Sequence, residues 1–68
     1  MSDLERLKIL IVHWIEHNRE HAQTYKEWAD KAEALKRKDV SLLLQKIATE
    51  TEGLNNSFEE VLRLLQGK

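Results

Sequence analysis

The three histidines of the chain fall within nine consecutive residues near the amino terminus. His13, His17 and His21 recur at every fourth position, and on an α-helix this spacing places them on one face, about 6 Å apart along the axis. Two imidazoles four residues apart can hold one first-row divalent cation such as nickel or zinc. Because the outer two histidines would lie about 12 Å apart, we expect one ion to take one pair and further ligands from elsewhere. The segment therefore predicts a non-enzymatic transition-metal site.

Glutamates are the expected source of the remaining ligands. Glu16 and Glu20 lie between the histidines in the sequence. If a second helix returns antiparallel to the first, residues whose numbers sum to about 76 face each other, which brings Glu59 near His17. Such a carboxylate can bind the metal or accept a hydrogen bond from an imidazole and fix its orientation.

A structural role for the same histidines is the alternative. His21 and Asn18 fall on a predicted core seam, where polar residues commonly fix the register or the oligomeric state of a bundle. Under this alternative the chain is a structural or protein-interaction module that binds no metal.

The histidine segment also contains the pattern H-x-x-E-H twice, from His13 to His17 and from His17 to His21. In zinc peptidases two such histidines hold the metal and the glutamate activates water. Those enzymes also need a distant third ligand, a cleft and a strand that binds substrate, none of which this sequence predicts. We therefore expect the chain not to be an enzyme.

Composition limits the partners of this protein. The 68 residues include eleven basic and twelve acidic side chains, a formal net charge of −1, and no cysteine. We expect one domain over residues 1–68, without disulfides or thiolate metal sites. A near-neutral charge disfavours nucleic acid, and the longest apolar run near the amino terminus, residues 9–12, is too short to span a membrane. A cytoplasmic protein is the expectation.

The elements that position the histidines are predicted to be helices, because the chain has no proline and only two glycines. Two seams of mainly apolar residues alternate spacings of three and four. The first runs through residues 4, 7, 11, 14, 18, 21, 25, 28, 32 and 35, and the second through 40, 44, 47, 51, 54, 58, 61 and 65. The two seams do not share a frame, which predicts helix 1 over about 3–36, a turn over about 37–39 and helix 2 over about 40–66.

Two details of this all-α hairpin follow from single residues. Asp39 is the expected N-cap of helix 2. Gly53, followed by a capping-box pattern at Ser57 and Glu60, leaves a break into a third short helix as an alternative. Apolar residues outside the seams make each helix wider than one partner can cover, so we expect two hairpins to form a homodimeric four-helix bundle.

The string HWIEHNREHAQTYKEWADKA, residues 13–32, resembles a small helical domain of bacteria and archaea. That domain occurs alone or appended to the CooT family of nickel-binding proteins of carbon monoxide dehydrogenase maturation. The resemblance is carried by His13, Trp14, His17, Asn18, Glu20, His21, Ala22 and Trp28. It implies a transition-metal role through the three histidines, for example in nickel handling, and a partner in metalloprotein maturation.

Overall fold

The computed structural model describes residues 2–67 and consists of two α-helices packed side by side. Helix α1 spans Asp3–Ala34 and helix α2 spans Lys38–Gln66. The helices run antiparallel, since the Asn18 side chain reaches Asn55 and the Lys26 side chain reaches Glu52. The predicted all-α helical hairpin is therefore confirmed, and no strand occurs within residues 2–67.

Helix α2 continues through Gly53 without a break. The glycine lies on the exposed surface of the helix, and a Cβ added there would meet no atom within 4 Å. A glycine inside a helix costs about 1 kcal/mol, which the contacts along the rest of α2 offset. The alternative of a third short helix is thus wrong.

A capping box starts α1. The Ser2 hydroxyl accepts a hydrogen bond from the Glu5 backbone N–H at 3.2 Å, and the Glu5 carboxylate accepts one from the Ser2 backbone N–H at 3.4 Å. Together these bonds satisfy two of the donors that every helix leaves free at its amino end. The S-x-x-E pattern at residues 2–5 thus explains why the helix begins at Asp3.

The turn between the helices is a Schellman motif built without glycine. The Arg37 N–H donates to the Ala32 carbonyl and the Lys36 N–H donates to the Glu33 carbonyl, both at 2.9 Å. Lys36 takes the left-handed conformation this motif requires, with φ of 63°.

Helix α2 begins at Lys38, two residues earlier than predicted. Its N-cap is Arg37, which makes no capping hydrogen bond with its side chain, so the prediction of Asp39 as N-cap is wrong. Asp39 instead lies in the first turn, where its carboxylate accepts hydrogen bonds from the Arg37 guanidinium at 3.3 Å and the Val40 N–H at 2.9 Å. These bonds, that of Arg37 first, lower the pKa of Asp39.

We expect Lys36→Gly to stabilise the protein by about 1 kcal/mol, because glycine takes the left-handed conformation without the steric cost of a Cβ. Urea denaturation followed by circular dichroism measures the change. Lys46→Gly is the matched control. Lys46 is exposed at an interior position of α2, where glycine should lower the free energy of unfolding by about 1 kcal/mol. Equal destabilisation by both substitutions would contradict the role assigned to Lys36.

The buried contact between the helices is formed mostly by small residues. Its buried members are, on α1, Ile11, Ile15, Ala22, Ala29 and Ala32, and on α2, Ser41, Ala48 and Asn55. Side chains this small let two helices approach closely, which leaves little room for larger groups between them. We call this contact the small-residue seam.

The seam differs from the predicted one by a rotation of each helix. Ile47, Leu54 and Val61 belong to the predicted seam of helix 2 and are exposed instead. Trp14 and Trp28, for which the sequence predicts a place in the core or at a dimer contact, are exposed as well. In each helix one of the two predicted rows is replaced by the row that follows it by one residue. Residues 8, 15, 22 and 29 face the partner helix in place of 7, 14, 21 and 28, and residues 41, 48, 55 and 62 in place of 40, 47, 54 and 61. The other predicted rows, which we call the central rows, are residues 11, 18, 25 and 32 and residues 44, 51, 58 and 65, and they remain as predicted. The replaced part of each predicted seam is wrong, because the close approach of the two helices places small residues between them and leaves the larger apolar residues outside.

The hairpin is one helix layer thick. Its Cα atoms extend over 50 × 19 × 11 Å, with a radius of gyration of 15.7 Å. A compact chain of this length would have a radius of gyration of about 11 Å. Stable domains enclose their core between at least two layers, whereas this hairpin leaves one side of each helix without a packing partner among residues 2–67.

Candidate functional site

The three histidines form an exposed ridge near the middle of α1. The ring centroids of His13 and His17 lie 4.1 Å apart, and those of His17 and His21 lie 6.2 Å apart. The ridge continues into Tyr25, whose ring stacks on His21 with a centroid distance of 6.1 Å. The three imidazoles thus lie on one face of α1, as the spacing predicts. Each of the two neighbouring pairs is close enough to bind one ion together.

The predicted carboxylates do not join this ridge. Glu59 pairs with Arg19 at 3.7 Å between Oε2 and Nη2, not with His17. Glu16 and Glu20 are exposed on α1. Within residues 2–67, no group of three or more His, Asp or Glu side chains is arranged to hold a metal ion. The described part of one chain thus offers a cation two neighbouring imidazoles and no third side chain that converges with them.

Two asparagines cross the small-residue seam beside the ridge. The Asn18 amide donates to the Asn55 side-chain oxygen at 3.0 Å, and the Asn55 amide donates to the Ile15 carbonyl at 3.0 Å. Asn55 is buried and Asn18 half-buried. A buried polar pair of this kind is satisfied in only one alignment of the two helices, so it fixes their register.

One side of the hairpin is polar and ion-paired. The Lys26 ammonium lies 2.8 Å from the Glu52 carboxylate, and Arg19 and Glu59 form the second pair across the helices. A shallow groove of about 410 Å³ on this side is lined by Lys26, Asp30, Gln45 and Thr49. All four charged partners remain largely exposed, so the pairs contribute little to stability and mark a solvent-facing surface.

The opposite side is apolar. On each helix, the ion-paired residues lie on one side of the small-residue seam and a row of large apolar residues lies on the other side. In the hairpin, the apolar rows of the two helices therefore share the surface opposite the ion pairs. Seven residues on this side, each between 37% and 73% exposed, form what we call the apolar face: Leu7, Trp14, Trp28, Leu35, Ile47, Leu54 and Val61.

The apolar face has a regular spacing. Its members on α1 and on α2 are separated by seven residues or multiples of seven, and His21 occupies the middle of the α1 row. The Trp14 ring packs against the Phe58 ring, with ring centroids 5.9 Å apart. The Lys31 ammonium lies over the Trp28 ring, 4.1 Å from its centroid. All seven residues of the apolar face belong to the two seams that the sequence predicts. Neither helix within residues 2–67 is both long and apolar enough to cross a membrane.

Comparison with known protein families places this chain in one of them. A family model described as a domain of unknown function, DUF8180, matches residues 7–65. The chain belongs to the DUF8180 family. The match includes the whole histidine ridge, the turn and nearly all of both helices. No curated protein and no solved structure matches the chain.

Proposed function

We propose that this member of the DUF8180 family is a self-associating helical module, in which two hairpins pack their apolar faces together as a homodimeric four-helix bundle. The observation that carries the proposal is the apolar face itself. Each helix has three adjacent rows suited to burial: one in the small-residue seam, one central and one on the apolar face. A helix of a four-helix bundle has two neighbours and needs such a width, whereas a helix of a lone hairpin has only one.

The exposed area supports the same arrangement. The chain has a mass of 8.0 kDa and exposes 5424 Å². A compact monomer of this mass exposes about 4,500 Å², and a compact dimer of twice the mass about 7,400 Å². Two separate hairpins would have to bury roughly 3,400 Å² in total to reach the dimer value, an area in the range of permanent homodimers.

A second copy is the partner that suits this face best. A two-fold axis pairs a surface with itself, so the surface must carry no net charge that would repel its own copy. None of the seven residues of the apolar face is charged, and His21 is the one polar residue within its α1 row. The apolar rows of both helices also extend along most of the hairpin, so a second hairpin of equal length covers them from end to end.

Sedimentation of the wild-type protein over a concentration series tests this proposal. We expect a dimer at micromolar concentration and a thermal unfolding midpoint that rises with protein concentration, because the folded hairpins are linked to assembly. X-ray scattering should give a particle that remains near 50 Å long while its mass doubles. A folded monomer throughout the series would contradict the proposal.

Transition-metal binding by the histidine ridge is the second candidate function, with nickel or zinc as the ion. The 4.1 Å approach of the exposed His13 and His17 rings favours it. In this candidate the exposed side chain of Glu16 or Glu20 would have to reorient to add a carboxylate ligand from the same helix. The resemblance of residues 13–32 to the domain appended to CooT-family proteins adds nickel handling and a maturation partner to this proposal. For both candidate functions, self-association and metal binding, we propose a cytoplasmic location.

A further inference from the structure

We propose that His17 and His21 of two copies form a single four-imidazole site for a first-row divalent cation, located across the dimer. This inference rests on the proposed homodimer and adds a ligand to it. The chemistry required is two imidazole pairs, each spaced by one helical turn, converging on one ion.

The pair on one chain is an incomplete site. The rings of His17 and His21 are exposed, with centroids 6.2 Å apart, and no third histidine or carboxylate converges with them within residues 2–67. Glu59, the one carboxylate expected from α2, belongs to the ion-paired side of the hairpin, where it contacts Arg19. As the hairpin is arranged, residues 2–67 of one chain therefore do not complete the site, and a second copy can.

The position of the pair allows a second copy to supply the remaining ligands. Helix α1 spans Asp3–Ala34, so its midpoint falls between His17 and His21. His21 is also the middle of the α1 row of the apolar face, and His17 lies at the edge of that face, one turn away.

A two-fold axis that crosses the helices at right angles stacks α1 antiparallel on its own copy. Such an axis keeps the two helices fully overlapped only if it passes near their midpoints, and there it brings both imidazole pairs together. His13 lies one further turn toward the amino terminus, so its copies end up apart. The two pairs then offer four nitrogen donors, the number that tetrahedral zinc takes.

The donor set determines the class of ion. Imidazole nitrogen suits zinc, nickel and copper, whereas calcium and magnesium prefer oxygen ligands. Each histidine binds as the neutral imidazole, so binding displaces any proton from the coordinating nitrogen and involves no redox step. The ion links the two α1 helices at the centre of their contact, and its effect is to tighten self-association.

The test combines calorimetry with sedimentation of the untagged full-length chain, with zinc as the probe and with EDTA as the metal-free reference. We expect one zinc for every two chains and a dimer dissociation constant at least about 10-fold lower with zinc than with EDTA, a modest share of what a structural zinc site contributes. His17→Ala should remove the zinc effect while keeping the helicity, because the His17 side chain is exposed in the hairpin. It should keep most of the dimerisation seen in EDTA, because His17 lies at the edge of the apolar face and is not one of its seven residues. His13→Ala is the matched control and should keep both the stoichiometry and the zinc effect.

The outcomes separate this site from the proposed dimer. A dimer in EDTA that zinc leaves unchanged would overturn the site and keep the dimer. One zinc per chain, or a zinc effect that survives His17→Ala, would also overturn the site, since it would place the ion on a single helix or at His13. A monomer in EDTA that zinc converts into a dimer of the stated stoichiometry would support the site and overturn assembly by the apolar face alone.

Discussion

Replacing Ala48 with leucine should destabilise the protein by about 3 kcal/mol, among the largest effects expected from a single substitution in this chain. The Ala48 side chain is fully buried in the small-residue seam, at 0% exposure. Three additional carbons cannot fit between two helices whose contact is made by alanines, so leucine must push the helices apart. The separation would also stretch the hydrogen bond between Asn18 and Asn55 one to two turns away.

Urea denaturation at one fixed protein concentration measures this effect, because the stability of an assembling protein depends on concentration. Ala34→Leu is the matched control: Ala34 is exposed at the end of α1, and its substitution should change the stability by no more than about 0.5 kcal/mol. If Ala48→Leu and Ala34→Leu unfold at the same urea concentration, the small-residue seam does not hold the hairpin together.

The sequence was sufficient to predict the helices and their antiparallel pairing, because both depend on local signals. Proline is absent, and the two apolar seams break frame near residue 37. The Schellman motif at the end of α1 was not predictable from the sequence. It requires a left-handed residue, which is usually glycine, and here that residue is Lys36, which does not identify the motif.

The sequence could not determine which rows of each helix meet inside the hairpin. Three adjacent rows on each helix are suited to burial, and a spacing pattern identifies the rows without saying which neighbour each one faces. The largest side chains, such as Trp28 and Leu54, favoured one choice. The structure pairs the helices through Ala22, Ala29 and Ala48 instead, since close approach depends on small side chains.

The candidate site was predictable only where it lies on one helix. The spacing of His13, His17 and His21 was enough to place them on one face. Placing Glu59 required the rotation of α2, and at about 100° per residue a small error in rotation moves a side chain to the other side of the hairpin. The rotation that α2 has in the structure places Glu59 on the polar side, where it contacts Arg19 and not His17.

Ile47→Glu should raise the dimer dissociation constant by about 1,000-fold, the effect of leaving an unpaired carboxylate at a buried contact at a cost of about 4 kcal/mol. Ile47 is 42% exposed in the hairpin and is the first of the three α2 residues of the apolar face. The two-fold axis repeats each substitution, so two carboxylates enter the same interface. Sedimentation equilibrium in EDTA measures the constant without any contribution from metal.

Asn56→Glu is the matched control, because it adds the same charge to an exposed position of α2 that lies outside the apolar face. It should leave the dimer dissociation constant within about 3-fold of the wild-type value, since an exposed charge outside a contact contributes little to binding. Circular dichroism at each concentration shows whether the Ile47→Glu hairpin stays helical once it is monomeric. A loss of helicity that follows the loss of mass would mean that the second layer is needed for folding. Unchanged dimerisation of Ile47→Glu would mean that the copies meet elsewhere, and the apolar face would then be open to a different partner.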